Sequence, residues 1–259
     1  IGNAAIDEEA DFAGLVDYAW SHAVISDDLY HHIKQTCNFG LPEDDSCDLL
    51  LDMLFGNYSV IDIYDIYAPV CLDKNSQRSR RSLPVIAGVR PKLFAKSKPM
   101  SKRPAGSDPC VADYTEAYFN RADVQKALHA NVTNLSYNWT HCSSYVLTSW
   151  SDAPFSMLPT IKRLVDGGIR VWVFSGDFDG RVPVISTRYA LNKLRLNTIE
   201  EWTPWYSDKQ VGGWRVIYDG LTFVTVRAAG HEVPTFKPKE AQQLVAHFLS
   251  NQQLPVEPF

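Results

Sequence analysis

The last 109 residues, 151–259, limit the fold most tightly, because they alternate between two periodicities. SDAPFSMLPTIKRLVDGG (151–168) has helical spacing and ends on a glycine pair. IRVWVFSG (169–176) is a short apolar run of the kind found in strands buried on both faces. VISTRYALNKLRL (184–196) returns to helix. WTPWYS, GWRVIYDG and LTFVTVRAAG (202–207, 213–220 and 221–230) read as strands, with a turn at Asp219-Gly220. KPKEAQQLVAHFLS (237–250) closes the chain as a helix with Pro238 in its first turn. This alternation predicts an α/β core around a parallel sheet.

The first third reads differently. DEEADFAGLVDYAWSHAVI (7–25) carries apolar residues at helical spacing behind an acidic first turn. SDDLYHHIKQTC (26–37) opens on Ser26-Asp27, an N-cap pair, and DSCDLLLDMLFGN (45–57) reads as a helix stopped by Gly56. From Lys74 to Gly106 there are many Lys and Arg, scattered prolines, and no Asp or Glu. That run reads as a solvated linker, with Arg78-Ser79-Arg80-Arg81 open to processing proteases. NRADVQKALHA (120–130) brings helix back, with Asn120 as its expected N-cap.

Composition excludes several classes of function. A net charge of −5 and the lack of aromatic interleaving in the basic run argue against nucleic acid. No apolar run reaches the roughly 18 residues a membrane span needs. Seven histidines and five cysteines show no metal-ligand spacing beyond His31-His32, which point to different faces of a helix. No dinucleotide or phosphate loop occurs, and Gly212-Gly213 reads as a turn before Trp214. No cofactor and no metal are expected. Four sequons, at Asn57, Asn131, Asn134 and Asn138, favour a secreted or lumenal chain in which disulfides persist.

Chemistry is expected in loops beyond the carboxyl ends of strands. SGDFDGRVP (175–183) follows one strand, and VTVRAAGHEVP (224–234) brings His231 directly after Gly230 at the end of another. Small residues before the histidine would let the chain turn and present the ring. An Asp loop followed by a His loop is the order of the acid and base of a nucleophile–His–Asp triad on an α/β-hydrolase fold, where the nucleophile comes first. A serine hydroxyl attacks only if an imidazole takes its proton, and a buried carboxylate fixes that imidazole's tautomer. Taken singly, an Asp-x-Asp loop is more often turn chemistry and a loop histidine more often structural. No Gly-x-Ser-x-Gly elbow exists in the 259 residues, and Ser143, Ser144 and Ser175 lack its setting. The nucleophile is therefore expected before Ile1.

At these residues the sequence resembles the serine carboxypeptidase family, and within it the two-chain plant members. The motifs are IGNAAID, DIYAPVC, YFNRADVQKALHAN, RVWVFSGDFDGRVPVISTRYAL, PWYSDKQVGGW and VRAAGHEVPTFKP, spread over essentially the whole chain. The resemblance implies the C-terminal half of an α/β-hydrolase core with a largely helical insertion. Residues 1–7 would end a core strand, 8–73 and 109–150 would form the insertion, 74–108 a basic linker, excised or disordered, and 151–259 the rest of the core. It also implies a secreted or vacuolar peptidase that releases C-terminal residues through an acyl-enzyme. Asp179 would be the triad acid, His231 the base, Asp177 a supporting residue bonded to backbone, and Glu232 a residue facing the departing amino acid. Relatives on the same fold include acyltransferases and hydroxynitrile lyases, and the chain alone is expected to be inactive. Partners would be a peptide and the upstream part of the same enzyme carrying the serine, with a homodimer among the assemblies allowed. Cys37 would pair with Cys47 and Cys71 with Cys110, leaving Cys142 for a partner upstream. Phe178, Gly180 and Arg181 depart from the family's acid loop and leave substrate preference open.

Overall fold

The computed structural model describes residues 1–40, 45–72 and 108–259. The expected basic linker, apart from Asp108, lies outside the described residues. Four strands form one sheet in the order β1-β4-β3-β2. They are β1 (Val171–Gly176), β2 (Thr198–Ser207), β3 (Gln210–Tyr218) and β4 (Leu221–Val226). Only β1 and β4 run parallel, while β2, β3 and β4 are joined as antiparallel neighbours. The parallel sheet expected from the alternation is therefore a mixed one. The reason is connection length: Asp219-Gly220 and Asp208-Lys209 leave room for hairpins only, and a hairpin forces antiparallel pairing. Gly220 takes φ 80° at the β3–β4 turn.

Side-chain alternation splits the central strands between two cores, as a period of 2 requires. Val171, Val173, Leu221 and Phe223 pack with α7 (Leu158–Asp166) and α8 (Val184–Asn192) on one face. Trp172, Val224 and Val226 pack with α10 (Pro238–Ser250) on the other. The sheet is thus covered on both sides, as the apolar runs of β1 and β4 demand. At the chain start, Gly2 forms a parallel bridge to Phe174, and the Asn3 amide donates to the Phe174 carbonyl at 2.9 Å.

A third core is built by α1 (Glu8–Ser21), α2 (Asp27–Thr36) and α3 (Asp45–Tyr58). Asp7 caps α1 by accepting from the Ala10 amide at 3.1 Å, and Ser26 caps α2 from the Leu29 amide at 3.2 Å. Gly56 does not stop α3, which runs on to Tyr58, because Leu54, Phe55 and Tyr58 bury their side chains in the shared core. Buried Val182 joins this core from the sheet side, so the helical part and the acid loop share one apolar cluster. Ser186 of α8 also donates to the Asp11 carbonyl of α1 at 3.0 Å.

The short helices α4 (Val111–Phe119), α5 (Ala122–Ala127) and α6 (Ser144–Ser149) lie further out, with α9 (Val233–Phe236) after the base loop. Asn120 is the C-cap of α4 rather than the N-cap of α5. Its side chain donates to the Glu116 carbonyl behind it, which commits it to the helix it ends. Disulfides join Cys37 to Cys47 and Cys71 to Cys110, and Cys142 is free and exposed. Among the described residues no helix is long and apolar enough to cross a membrane.

Gly212 and Gly213 sit inside β3 rather than in a turn. A Cβ on Gly213 would stand 1.9 Å from the Thr225 carbonyl oxygen, which also accepts from the Trp205 indole at 2.9 Å. The glycine is there for close backbone approach beneath a fully buried tryptophan. Gly213→Ala in the full-length protein is expected to cost about 1–3 kcal/mol of stability. Thermal denaturation reads this as a lower Tm, and an unchanged Tm would show that the strands do not lie so close.

Candidate active site

β1 and β4 are adjacent and parallel, so the loops that follow them leave the same edge of the sheet side by side. Each loop is stitched to the other through backbone. The Asp177 amide donates to the Val226 carbonyl at 3.2 Å and the Phe178 amide to the Ala229 carbonyl at 2.8 Å. Asp177 Oδ1 accepts from the Ala228 amide at 2.6 Å. That is the backbone-supporting place expected of this residue, and it leaves Asp177 no side-chain contact with His231 among the hydrogen bonds described.

Asp179 has no solvent exposure. Its Oδ1 accepts from the amides of Arg181 and Val182 at 2.7 and 3.0 Å, so the turn folds around its own carboxylate. Its Oδ2 accepts from Asn3 Nδ2 at 2.8 Å and lies 2.9 Å from His231 Nδ1. An ionised carboxylate only accepts, so Nδ1 carries the hydrogen and Nε2 keeps the lone pair. The His231 side chain is 21% exposed, against 0% for Asp179. A buried acid thus holds a ring that can still be reached.

Burial opposes the imidazolium, but the hydrogen bond and charge of Asp179, with a further contribution from Glu232, outweigh it and raise the His231 pKa above 6.5. A raised histidine stabilises the fold fully below its unfolded value, and that contribution fades as pH rises through the folded one. Glu232 follows His231 and caps α9, its carbonyl accepting from the Thr235 amide at 2.8 Å. Burial pushes Asp62 up to about 7 against the pull of the Tyr64 amide, and the nearby Glu232 and Asp65 add to the rise. Among the described residues no group of His, Cys, Asp and Glu is arranged to hold a metal ion.

Several contributors carried no legible role in the sequence. Asn3, in the left-handed region at φ 44°, supplies a donor to Asp179 from 176 residues away. The Tyr64 carbonyl accepts from the His231 amide at 2.6 Å, and its ring stands 5.3 Å from the imidazole. The Ile63 carbonyl accepts from the Gly180 amide at 2.9 Å, and the Ile66 amide donates to the Phe178 carbonyl at 3.1 Å. Residues 63–66 therefore bond to both loops at once. Gly230 is needed for this contact rather than for the turn, since a Cβ there would sit 2.3 Å from the Tyr64 oxygen. The positive φ, 55°, falls on Ala228 instead. Ser175 is fully buried and donates to Thr187 Oγ1 at 3.1 Å, and Ser143 caps α6.

The family model for serine carboxypeptidases matches residues 1–251. The chain belongs to the serine carboxypeptidase family. Serine carboxypeptidase-like 34 of Arabidopsis thaliana is 53% identical over 100% of this chain and 54% of its own length. Serine carboxypeptidase II-1 of Hordeum vulgare is 43% identical over 98% of this chain and 75% of its own length. The chain spans about half the length of the first of these relatives. Among solved structures, Kex1Δp, a prohormone-processing carboxypeptidase from Saccharomyces cerevisiae, superposes with a TM-score of 0.68 at 16% identity. The superposition covers 97% of this chain and 53% of that one, and it shows the fold, that of an α/β-hydrolase. The order acid loop then base loop is that of the family fold.

The contact between Asp179 and His231 makes a direct prediction. In the full-length protein the His231 ring titrates above 6.5, and Asp179→Asn lowers its titration, because burial then acts with only Glu232 opposing it. The imidazole Cε1–H resonance followed against pH checks this. A titration that Asp179→Asn leaves in place would overturn the assignment of that carboxylate as the ring's charge partner.

Proposed function

We propose that the complete protein is a serine-type carboxypeptidase that removes C-terminal residues from peptides through an acyl-enzyme. In this reading the present chain supplies Asp179 and His231, and the serine comes from the rest of the longer protein. The observation that carries it is the 2.9 Å contact between Asp179 Oδ2 and His231 Nδ1, with the acid buried and the ring partly exposed. His231 Nε2 takes the serine proton as the hydroxyl attacks the scissile carbonyl and returns it to the departing amine. Water then follows the same route to release the acyl group, again with Nε2 as base. Asp179 holds the ring in one tautomer and stabilises the imidazolium formed at each step. Asn3 and the amides of Arg181 and Val182 hold that carboxylate in place. Glu232, beside the ring, is the group assigned to the departing residue.

The test is hydrolysis of N-blocked dipeptides by the full-length protein. His231→Ala should lower kcat by about 10⁶-fold and Asp179→Ala by about 10⁴-fold, with KM changed far less. Peptide release at wild-type rate by the His231 variant would sink the proposal, and preferential consumption of a sugar-ester donor would redirect it to acyl transfer.

The same reading places the protein in a secreted or vacuolar compartment, with glycans on Asn57, Asn131, Asn134 and Asn138, all exposed. It also assigns the basic segment at 74–108 to proteolytic processing, after which the Cys71–Cys110 disulfide would hold the two pieces together. Protein purified from its source should then run as one species on a non-reducing gel and as two after reduction. A single band under both conditions would show that the segment is not cut.

A further inference from the structure

The acid loop is also held from the helical side, by a residue with no part in the relay. Tyr18 lies in the last turn of α1 and is 2% exposed, and its hydroxyl donates to the Asp177 carbonyl at 2.9 Å. The His22 ring stacks on the phenol with centroids 3.8 Å apart, and His22 Nδ1 lies 3.0 Å from the Tyr18 carbonyl. Burial, with Tyr58 and the carboxyl groups of Asp179 and Asp177 adding to it, pushes the phenol far above its ordinary value. Tyr18 therefore keeps its proton and stays a donor. The helix that carries it is fixed in turn. Helices α1 and α8 approach so closely that a Cβ on Gly14 would stand 2.4 Å from the Ser186 amide nitrogen.

Asp177 is where three elements meet. Its amide donates to Val226 at the end of β4, its Oδ1 accepts from the Ala228 amide in the base loop, and its carbonyl accepts from Tyr18 in α1. Asp179 follows two residues later, and His231 lies three residues beyond Ala228. Ala228 sits in the left-handed region at φ 55°, which a residue with a Cβ keeps only where its surroundings hold it. The place of Asp177 therefore bears on Asp179 along one loop and on His231 along the other. We propose that Tyr18 is a positioning residue whose hydroxyl fixes Asp177 and, through it, the spacing between the Asp179 carboxylate and the His231 imidazole. A donor carried on a packed helix holds that carbonyl in one place, as a mobile water would not. The kinetic meaning of this rests on the function proposed above, but the contact between acid and ring does not.

The experiment compares wild type, Tyr18→Phe and Tyr30→Phe in the full-length protein. Phenylalanine keeps the ring and its packing and removes only the hydroxyl. Tyr30→Phe is the control, because it removes another hydroxyl of the helical part, one bonded to Asp17 at 3.0 Å. The readouts are the low-field resonance of the His231 Nδ1 proton, Tm, and kcat and KM on a blocked dipeptide. Tyr18→Phe should move that resonance upfield and hasten its exchange with water. It should also lower kcat about tenfold with KM little changed. Tyr30→Phe should leave the resonance and kcat as in wild type. Asp177→Ala should disturb the resonance too, and adding Tyr18→Phe to it should change little more, because both act on one link. A lower Tm with an unmoved resonance would assign Tyr18 to packing alone and overturn the proposal. Equal changes in the two tyrosine variants, or full additivity with Asp177→Ala, would overturn it as well. A moved resonance in a protein that cleaves no peptide would instead fault the peptidase reading and leave this inference standing.

Discussion

A carboxylate with no solvent exposure has to find its donors within the protein, and Asp179 finds four. Two come from its own turn, one from Asn3 at the start of the chain, and one from His231 at the end of a different strand. These donors are brought together only if Ile1–Asn3 lies along β1, if β1 and β4 pair in parallel, and if the turn closes on the acid. The site and the sheet are therefore a single construction. A shift of one residue in the β1–β4 register would carry the base loop away from the acid and reverse which core each strand residue faces.

The helical part of the molecule belongs to the same construction. Its three helices bury their own apolar faces, and the segment after α3 then passes against the loops that carry Asp179 and His231. Tyr64, Ile63 and Ile66 supply backbone partners to His231, Gly180 and Phe178, and Val182 enters the helical core from the other side. These contacts satisfy amides and carbonyls that would otherwise lie buried without partners beside the acid. An insertion attached only through its ends could not do this, so a change in its packing is expected to reach the imidazole.

The charges around His231 form a balance rather than a simple pair. The acids Asp179 and Glu232 pull the ring towards its cation, while burial pushes it back. The protonation of one ring therefore depends on residues from the acid loop and the base loop together.

Asp179, His231 and the supporting place of Asp177 were legible because their signals are local: apolar strands, loops with small residues, and acid before base. Asn3 and Tyr64 were not. Asn3 acts across 176 residues, and Tyr64 acts at His231 through its carbonyl, which every residue type carries. The same limit explains the misreadings. Gly213 looks like a turn until Thr225 is seen against it, and Asn120 looks like the start of a helix until its side chain is seen bonded backwards. Residue pattern by itself determined that strands and helices alternate after residue 150, that two loops carry an acid and a base, and which family the chain resembles. Which strands run parallel, which four donors meet one carboxylate, and how a tyrosine of α1 reaches the acid loop were decided only by the tertiary structure. Those outcomes depend on distances between segments far apart in the chain, and no local spacing encodes them.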